Sequence, residues 1–224
     1  MSYRTLKSKL FGTIGALAVA GMVLAGVATI TAFTASSPQA ATLGVITPPP
    51  LPEGMAPVPE GNELFLGTHA VGTQNYVCQP SGAGVAYVLF TPQATLFGGD
   101  GAQIITHFNS PNHPDEPNTD PKVVADGTIR ATWQFKDTSR VWARVHQPDG
   151  AVTVDKDAIA WLLLDAVGHL NGPTGGDKLA KTTFVQRLNT TGGLAPKTGC
   201  SSVTDLGNKA FVPYTADYFF YKAT

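Results

Sequence analysis

The sequence carries little charge. Charged residues make up 14 % of the 224 residues, and the formal net charge is −1. Three basic residues, Arg4, Lys7 and Lys9, lie before a long apolar run, and the rest of the chain holds 12 basic against 16 acidic residues. This composition excludes the basic surface that nucleic acid or anionic lipid would require. We therefore expect no nucleic-acid partner, and contact with a membrane only through the N-terminal segment.

Recognisable catalytic and cofactor motifs are also lacking. The sequence contains no phosphate-binding P-loop, no EF-hand loop and no G-x-S-x-G nucleophile elbow. Gly82-Ala83-Gly84 begins like a dinucleotide fingerprint, but Tyr87 stands where the third glycine is required, and no βαβ pattern surrounds it. We expect no cofactor and reject a nicotinamide-dependent dehydrogenase. A non-enzymatic role is favoured, although an enzyme stays an alternative.

The N-terminal segment, residues 1–41, has the pattern of a targeting sequence. Its basic start is followed by residues 10–35, which contain no charge and are long enough to span a bilayer. Four glycines and a small-residue stretch over residues 35–41 favour cleavage as a signal peptide. The alternative is a retained membrane anchor. Both predict export, so the protein would be secreted, extracellular or periplasmic, or anchored to the membrane if cleavage fails.

Only two cysteines are present, Cys78 and Cys200, and both follow the targeting segment. An even pair in an oxidising compartment is usually a disulfide, and this one would stabilise the fold by about 4.7 kcal/mol in the chain-entropy account. The alternative is a pair of buried free thiols. A metal site would need more ligands than these two.

A proline-rich segment, residues 42–61, separates the targeting sequence from the rest. It contains six prolines, three of them consecutive, and this composition favours a polyproline II conformation. We expect a stiff spacer that holds the domain away from a membrane or wall. The alternative is that its end lies along the domain as an irregular edge.

Residues 62–224 show short β-type runs separated by turn signals. Thr128–Phe135 and Arg140–His146 alternate like the two strands of a hairpin. The apolar run Ala158–Val167 suits either a buried strand or one short helix, because periodicity does not separate the two. The pattern predicts a single all-β domain, an antiparallel sandwich or barrel of about ten short strands.

A family resemblance lies in four segments, residues 72–78 (GTQNYVC), 160–164 (AWLLL), 185–196 (VQRLNTTGGLAP) and 214–221 (YTADYFFY). Together they resemble a family of secreted bacterial and fungal proteins known only as a domain of unknown function. The resemblance covers about residues 50–222. It implies export and a Cys78–Cys200 pairing, and it implies no activity. Some fungal members carry a malate dehydrogenase label, which the incomplete fingerprint does not support.

Histidines and carboxylates near one loop form a candidate metal site. His107 ends a predicted strand, and His113 and Asp115 follow in a polar, proline-studded loop. Imidazole and carboxylate are common metal ligands, but this spacing matches neither a zinc nor a calcium motif. A solvated loop is the simpler interpretation, and we expect no metal.

Arg187 and Asp165 are candidate binding and catalytic residues. Arg187 lies within a predicted strand, and an inward guanidinium would need a carboxylate such as Asp165 or Asp217. A structural ion pair is therefore favoured over recognition of an anionic substrate. Asp165 has apolar neighbours that favour a protonated carboxyl, so it is a candidate general acid, as His107 is a candidate acid or base.

Aromatic residues are spread along the predicted strands, and Trp142 is the one we expect to be exposed because Arg140 and Arg144 flank it. Core and cross-strand packing is the commoner role for such residues, and a sugar-binding platform is the alternative. The sequence thus predicts an exported non-enzymatic surface or extracellular module that binds a glycan or a protein. The alternatives are a small extracellular hydrolase or metal-dependent enzyme, and a structural envelope protein.

Overall fold

The computed structural model describes residues 46–110 and 129–224. The predicted targeting segment, residues 1–41, lies outside the described residues, as do two predicted metal ligands, His113 and Asp115. Within the described ranges, no helix has the length and apolar character needed to cross a membrane.

Nine β-strands and one 3₁₀ helix form the described part of the chain. The strands are β1 (Asn62–Ser81), β2 (Gly84–Phe97), β3 (Gln103–Ser110), β4 (Arg130–Phe135), β5 (Arg140–Val145), β6 (Ala151–Val152), β7 (Trp161–Leu170), β8 (Thr182–Gly192) and β9 (Lys209–Ala223). The 3₁₀ helix is Val203–Asp205. The all-β prediction is confirmed, but the prediction of short strands is wrong for β1, β2 and β9, which have 20, 14 and 15 residues.

Eight of these strands close into an antiparallel barrel. The hydrogen-bonded order is β5-β4-β3-β2-β1-β9-β8-β7, and β5 pairs with β7 to complete the ring. The short β6 adds to the outer edge of β7. Closure leaves neither β5 nor β7 as a bare edge, which is why a barrel satisfies their backbone groups. Of the two predicted architectures, the barrel is confirmed and the sandwich is wrong.

The structure shows the predicted hairpin and the conformation of the apolar run that precedes β8. The predicted hairpin exists, because β4 pairs with β5 in antiparallel register, with Trp133 opposite Val141. The ambiguous run Ala158–Val167 supplies most of β7 rather than a helix. Its side chains alternate, with Leu162 and Leu164 packed inside the barrel and Leu163 packed outside. That two-residue period requires a strand.

Cys78 and Cys200 form the predicted disulfide, with their Cα atoms 5.5 Å apart, so the free-thiol alternative is wrong. The bond fixes the loop between β8 and β9 to the end of β1. Backbone hydrogen bonds from Cys78 N to Asn208 O and from Gly207 N to Cys78 O, 2.8 and 3.0 Å long, flank it. A disulfide of this kind is characteristic of an oxidising compartment.

A second apolar layer covers the outside of the barrel. Met55 and Ala56, which belong to the predicted spacer, pack with Leu163, Leu188 and Phe219 on the outer face of β7, β8 and β9. A hydrogen bond from Ala56 N to Asp149 O, 3.1 Å long, also fixes the segment. Within residues 46–61 the chain thus lies along the domain, as the alternative interpretation of the spacer proposed.

Candidate functional site

The barrel encloses a cavity of about 270 Å³. An eight-stranded barrel is just wide enough either to fill with side chains or to hold one small ligand, and this one is incompletely filled. Exposed Leu89, Ile129 and Arg144 mark the place where the cavity opens. The other described lining residues are Gln74, Pro92, His107, Asn109, Arg130, Ala131, Trp133, Ala143, Val145, Leu162, Leu164, Arg187 and Tyr218.

One wall of the cavity is built by β3 and β4. His107 and Trp133 are cross-strand partners in these neighbouring strands, so their side chains lie side by side on the inner face. Their rings stack with centroids 4.4 Å apart and planes only 8° from parallel. The pair forms a flat, mainly apolar surface that carries one imidazole.

His107 is held neutral in this position. It is 3 % exposed, and its Nδ1 donates a hydrogen bond to the carbonyl oxygen of Thr132, 2.8 Å away. Because a carbonyl only accepts, the proton lies on Nδ1 and Nε2 is left as an acceptor. Burial lowers the pKa of His107 to about 3, with the Arg187 charge acting in the same direction. The imidazole is therefore uncharged at any physiological pH.

The opposite wall is built by β8 and β9, where Arg187 and Tyr218 are cross-strand partners. The Arg187 charge lies close enough to Tyr218 to oppose the effect of burial on the pKa of that hydroxyl. Tyr218 reaches across the barrel, with its ring centroid 5.6 Å from that of Trp133 and 5.3 Å from that of His107, both edge-on. Burial raises the pKa of Tyr218, so its hydroxyl stays protonated. Arg187 is thus the charged group of this wall.

The predicted ion pair of Arg187 is wrong. Asp165 points outward on β7, where it accepts a hydrogen bond from His146 Nδ1 at 2.7 Å. Asp217 points outward on β9 and accepts one from His69 Nδ1 at 2.8 Å. Strand alternation explains both, because each aspartate neighbours inward residues in sequence and so faces the other side of the sheet. Arg187 Nε and Nη2 instead donate to the carbonyl oxygen of Ala160, at 3.1 and 2.8 Å.

Two lining residues keep hydrogen-bond donors without acceptors in the described part of the chain. Gln74 is 2 % exposed, and its Nε2 has no hydrogen-bond partner there. The indole Nε1 of Trp133 is also buried without a hydrogen-bond partner in the described chain. Buried donors are normally satisfied, so each unpaired one asks for an explanation. Gln74 did not emerge from the sequence. Its only signal is the alternation of β1, where Thr68, Ala70 and Gln74 share one face.

Trp142 does not lie where the sequence placed it. It is 0 % exposed rather than exposed, because it faces away from the interior on β5 and is covered there. Its neighbours Val141 and Ala143 face the barrel interior. The expected aromatic platform is thus wrong for Trp142, and Trp133 and Phe219 are also buried. Core packing accounts for these three rings.

The candidate site residues therefore divide into two groups. His107 and Arg187 line the same cavity, whereas Asp165 and Trp142 lie on the outer side of the strands. The described ranges hold no group of three or more potential metal ligands. Chemically, the cavity offers an apolar space with the Arg187 guanidinium, the amide of Gln74 and one neutral imidazole acceptor.

Comparison with known proteins adds a family. No curated protein and no solved structure matches the chain significantly. A family model described as "Protein of unknown function (DUF3455)" matches residues 59–222, which span the barrel from just before β1 to the last residues of β9. The chain therefore belongs to the DUF3455 family.

Proposed function

We propose that this protein is an exported, non-enzymatic binding module that holds one small molecule inside its barrel. The observation that carries the proposal is the 270 Å³ cavity, which opens to solvent and is lined mainly by apolar side chains with a few polar groups. This composition is typical of small-molecule sites, in which apolar walls supply affinity and few polar groups set orientation.

A small molecule fits this site better than the larger ligands that the sequence suggested. A protein partner or a long glycan would be bound on an exposed surface, whereas His107, Trp133 and Tyr218 are buried and line a cavity in the barrel interior. The lining supports binding over catalysis for a separate reason. Its described residues include no aspartate or glutamate, and Asp165 lies outside the barrel, so no carboxylate of residues 46–110 or 129–224 joins His107 in acid–base chemistry.

The proposed location is outside the cytoplasm. The disulfide between Cys78 and Cys200 supports an oxidising compartment, and the charge-free residues 10–35 support an N-terminal export signal. Cleavage of that segment would release the protein into the periplasm or medium, and retention would anchor it. In either form the barrel would meet small molecules of the cell envelope or surroundings.

A cavity-filling variant tests the proposal. Ala143 is buried and lines the cavity, so Ala143→Phe should occupy ligand space while leaving every polar group in place. Isothermal titration of the purified protein with octan-1-ol and with octanoate should show one site for at least one of them, and Ala143→Phe should weaken binding at least about tenfold, a loss of about 1.4 kcal/mol. The matched control is Ala151→Phe, an exposed position on β6.

The fold of both variants is checked by thermal unfolding before titration. Saturable binding that survives Ala143→Phe in a folded protein would place the ligand outside the barrel and refute the proposal. Binding lost equally in Ala151→Phe would also count against it.

A further inference from the structure

The guanidinium of Arg187 is not neutralised by the described residues. Its Nε and Nη2 donate to the uncharged carbonyl oxygen of Ala160, and these two bonds engage two of its five N–H donors. The Arg187 charge acts electrostatically on four titratable side chains. It lowers the pKa of His107, and it opposes the increase that burial causes in the pKa of Tyr76, Tyr214 and Tyr218.

Such a charge is costly to keep inside a barrel. A half-buried cation without a counter-ion loses part of its hydration, and neutral hydrogen bonds recover only some of that free energy. Arg144, which also lines the cavity, differs in this respect, because it lies 3.9 Å from the Asp165 carboxylate at the opening. Arg187 is therefore a position in the lining where an anion would be stabilised.

Gln74 and Trp133 carry unpaired donors beside the same cavity. Each is at least nine-tenths buried, each lines the cavity, and each has a donor that finds no acceptor in residues 46–110 or 129–224. Trp142 Nε1 and Thr182 Oγ1, which belong to residues outside the cavity lining, are unpaired in the same way. The requirement for an anionic acceptor therefore rests on Arg187.

We propose that the barrel binds a monocarboxylate with an apolar tail, and that Arg187 receives the carboxylate. The inference rests on the proposed function, since it specifies the chemistry of the molecule in the same cavity. One guanidinium with neutral neighbours balances one negative charge, and its planar fork of donors matches the two oxygens of a carboxylate. The tail packs against apolar lining residues such as Leu162 and Leu164.

Matched pairs of probes separate the head group from the tail. Octanoate is compared with octan-1-ol, and 3-phenylpropanoate with 3-phenylpropan-1-ol, by isothermal titration at pH 7 into the full-length protein. At least one carboxylate should bind 10- to 100-fold more tightly than its alcohol, as expected for a charge-assisted hydrogen bond of about 1.5–3 kcal/mol. Increasing salt should weaken the carboxylate more than the alcohol.

Variants assign the preference to one side chain. Arg187→Met should remove the preference for the carboxylate and leave the affinity for the alcohol within about threefold of wild type. Arg187→Lys should restore part of the preference, because it keeps the charge without the bidentate fork. Arg140→Met is the control, since Arg140 donates to Gln134 Oε1 at 2.6 Å and does not line the cavity. It should behave as wild type.

The possible failures are distinguishable. Equal binding of acids and alcohols by the wild type would overturn the anion inference and leave the small-molecule site standing. No binding of any of the four probes by the folded protein would overturn both. The wild-type comparison of acids with alcohols needs no variant, so it decides the inference even if Arg187→Met does not fold.

Discussion

Two glutamines, equally buried on opposite faces of the barrel wall, show how the two faces differ. Gln186, on the outer face of β8, is 2 % exposed, and its Oε1 accepts a hydrogen bond from the hydroxyl of Tyr221 at 2.7 Å. Gln74, on the inner face of β1, is 2 % exposed as well, but its Nε2 has no partner in the described chain. The outer glutamine thus has a side-chain hydrogen bond within the fold, whereas the buried amide nitrogen of the inner one has no partner in the described chain.

The same contrast extends to the apolar and charged residues. Outside, Leu163, Leu188 and Phe219 are fully buried beneath the segment that contains Met55. Inside, Leu164 adjoins a cavity that Arg187 also lines. The comparison indicates that the outer layer mainly stabilises the barrel, while the inner face keeps open space and the Arg187 charge at some cost in stability. Proteins accept such costs at functional sites. Unpaired buried donors occur on both faces, since Trp142 Nε1 on the outer face also lacks a partner in the described chain.

The largest expected loss of stability comes from a substitution that disrupts the outer layer. Leu163→Ala should lower the free energy of unfolding by about 4 kcal/mol, because Leu163 is fully buried and its truncation leaves a cavity in the outer layer. Leu164→Ala is the same substitution at the next residue, but Leu164 lines the cavity on the inner face of the barrel. It should cost about 2 kcal/mol. Urea unfolding of both variants measures the difference, and equal losses would contradict the contrast.

The next effect concerns His107 and pH. Its folded pKa of about 3 lies below the ordinary value of 6.5, so between these values the unfolded chain binds a proton that the folded barrel excludes. Stability contributed by neutral His107 is therefore complete above pH 6.5 and is lost as the pH falls towards 3, by at most about 1.4 kcal/mol per pH unit. His107→Gln should flatten this slope, since glutamine can still donate to the Thr132 carbonyl.

Urea unfolding of the wild type and of His107→Gln at pH 7, 6, 5 and 4 measures how the free energy of unfolding depends on pH. Leu163→Ala is the control, because it lowers the whole curve without altering its slope. If His107→Gln and the wild type lose stability in parallel on acidification, the buried neutral imidazole is not the source of the pH dependence.

The smallest effect on stability is expected from Arg187→Met. The variant loses the hydrogen bonds to the Ala160 carbonyl but also removes a half-buried charge, so the two terms offset and the net change should stay within about 1 kcal/mol. A folded protein of near wild-type stability, measured by urea unfolding without ligand, would sharpen the assignment of Arg187 to binding. A loss above about 2 kcal/mol would instead make Arg187 a structural residue.

Much of the fold follows from local pattern. Alternation in Thr128–Phe135 and Arg140–His146 predicts the β4–β5 hairpin, because neighbouring strands joined by a short turn pair with each other. The choice between sandwich and barrel depends on the pairing of β5 with β7. That pairing joins strands that are not consecutive, and no local signal in the sequence specifies its register.

The candidate site was predictable only in part. His107 and Arg187 stand out as polar residues inside β-type runs, yet alternation does not say which face of a strand becomes the interior. For that reason the sequence pattern predicts Asp165 beside Arg187, although the two face opposite sides of the wall, and predicts Trp142 in solvent, although it is buried. Gln74 is an ordinary polar residue until the closed barrel makes its position an inner one.

The most direct test of the central claim is a crystal structure of the protein with octanoate at a concentration that saturates the titration. The account predicts density for the ligand inside the barrel, with the carboxylate oxygens within hydrogen-bond distance of Arg187 and the chain extending along Leu162 and Leu164. Octanoate on the outer surface beside an empty barrel, or inside it with the carboxylate turned away from Arg187, would contradict the account.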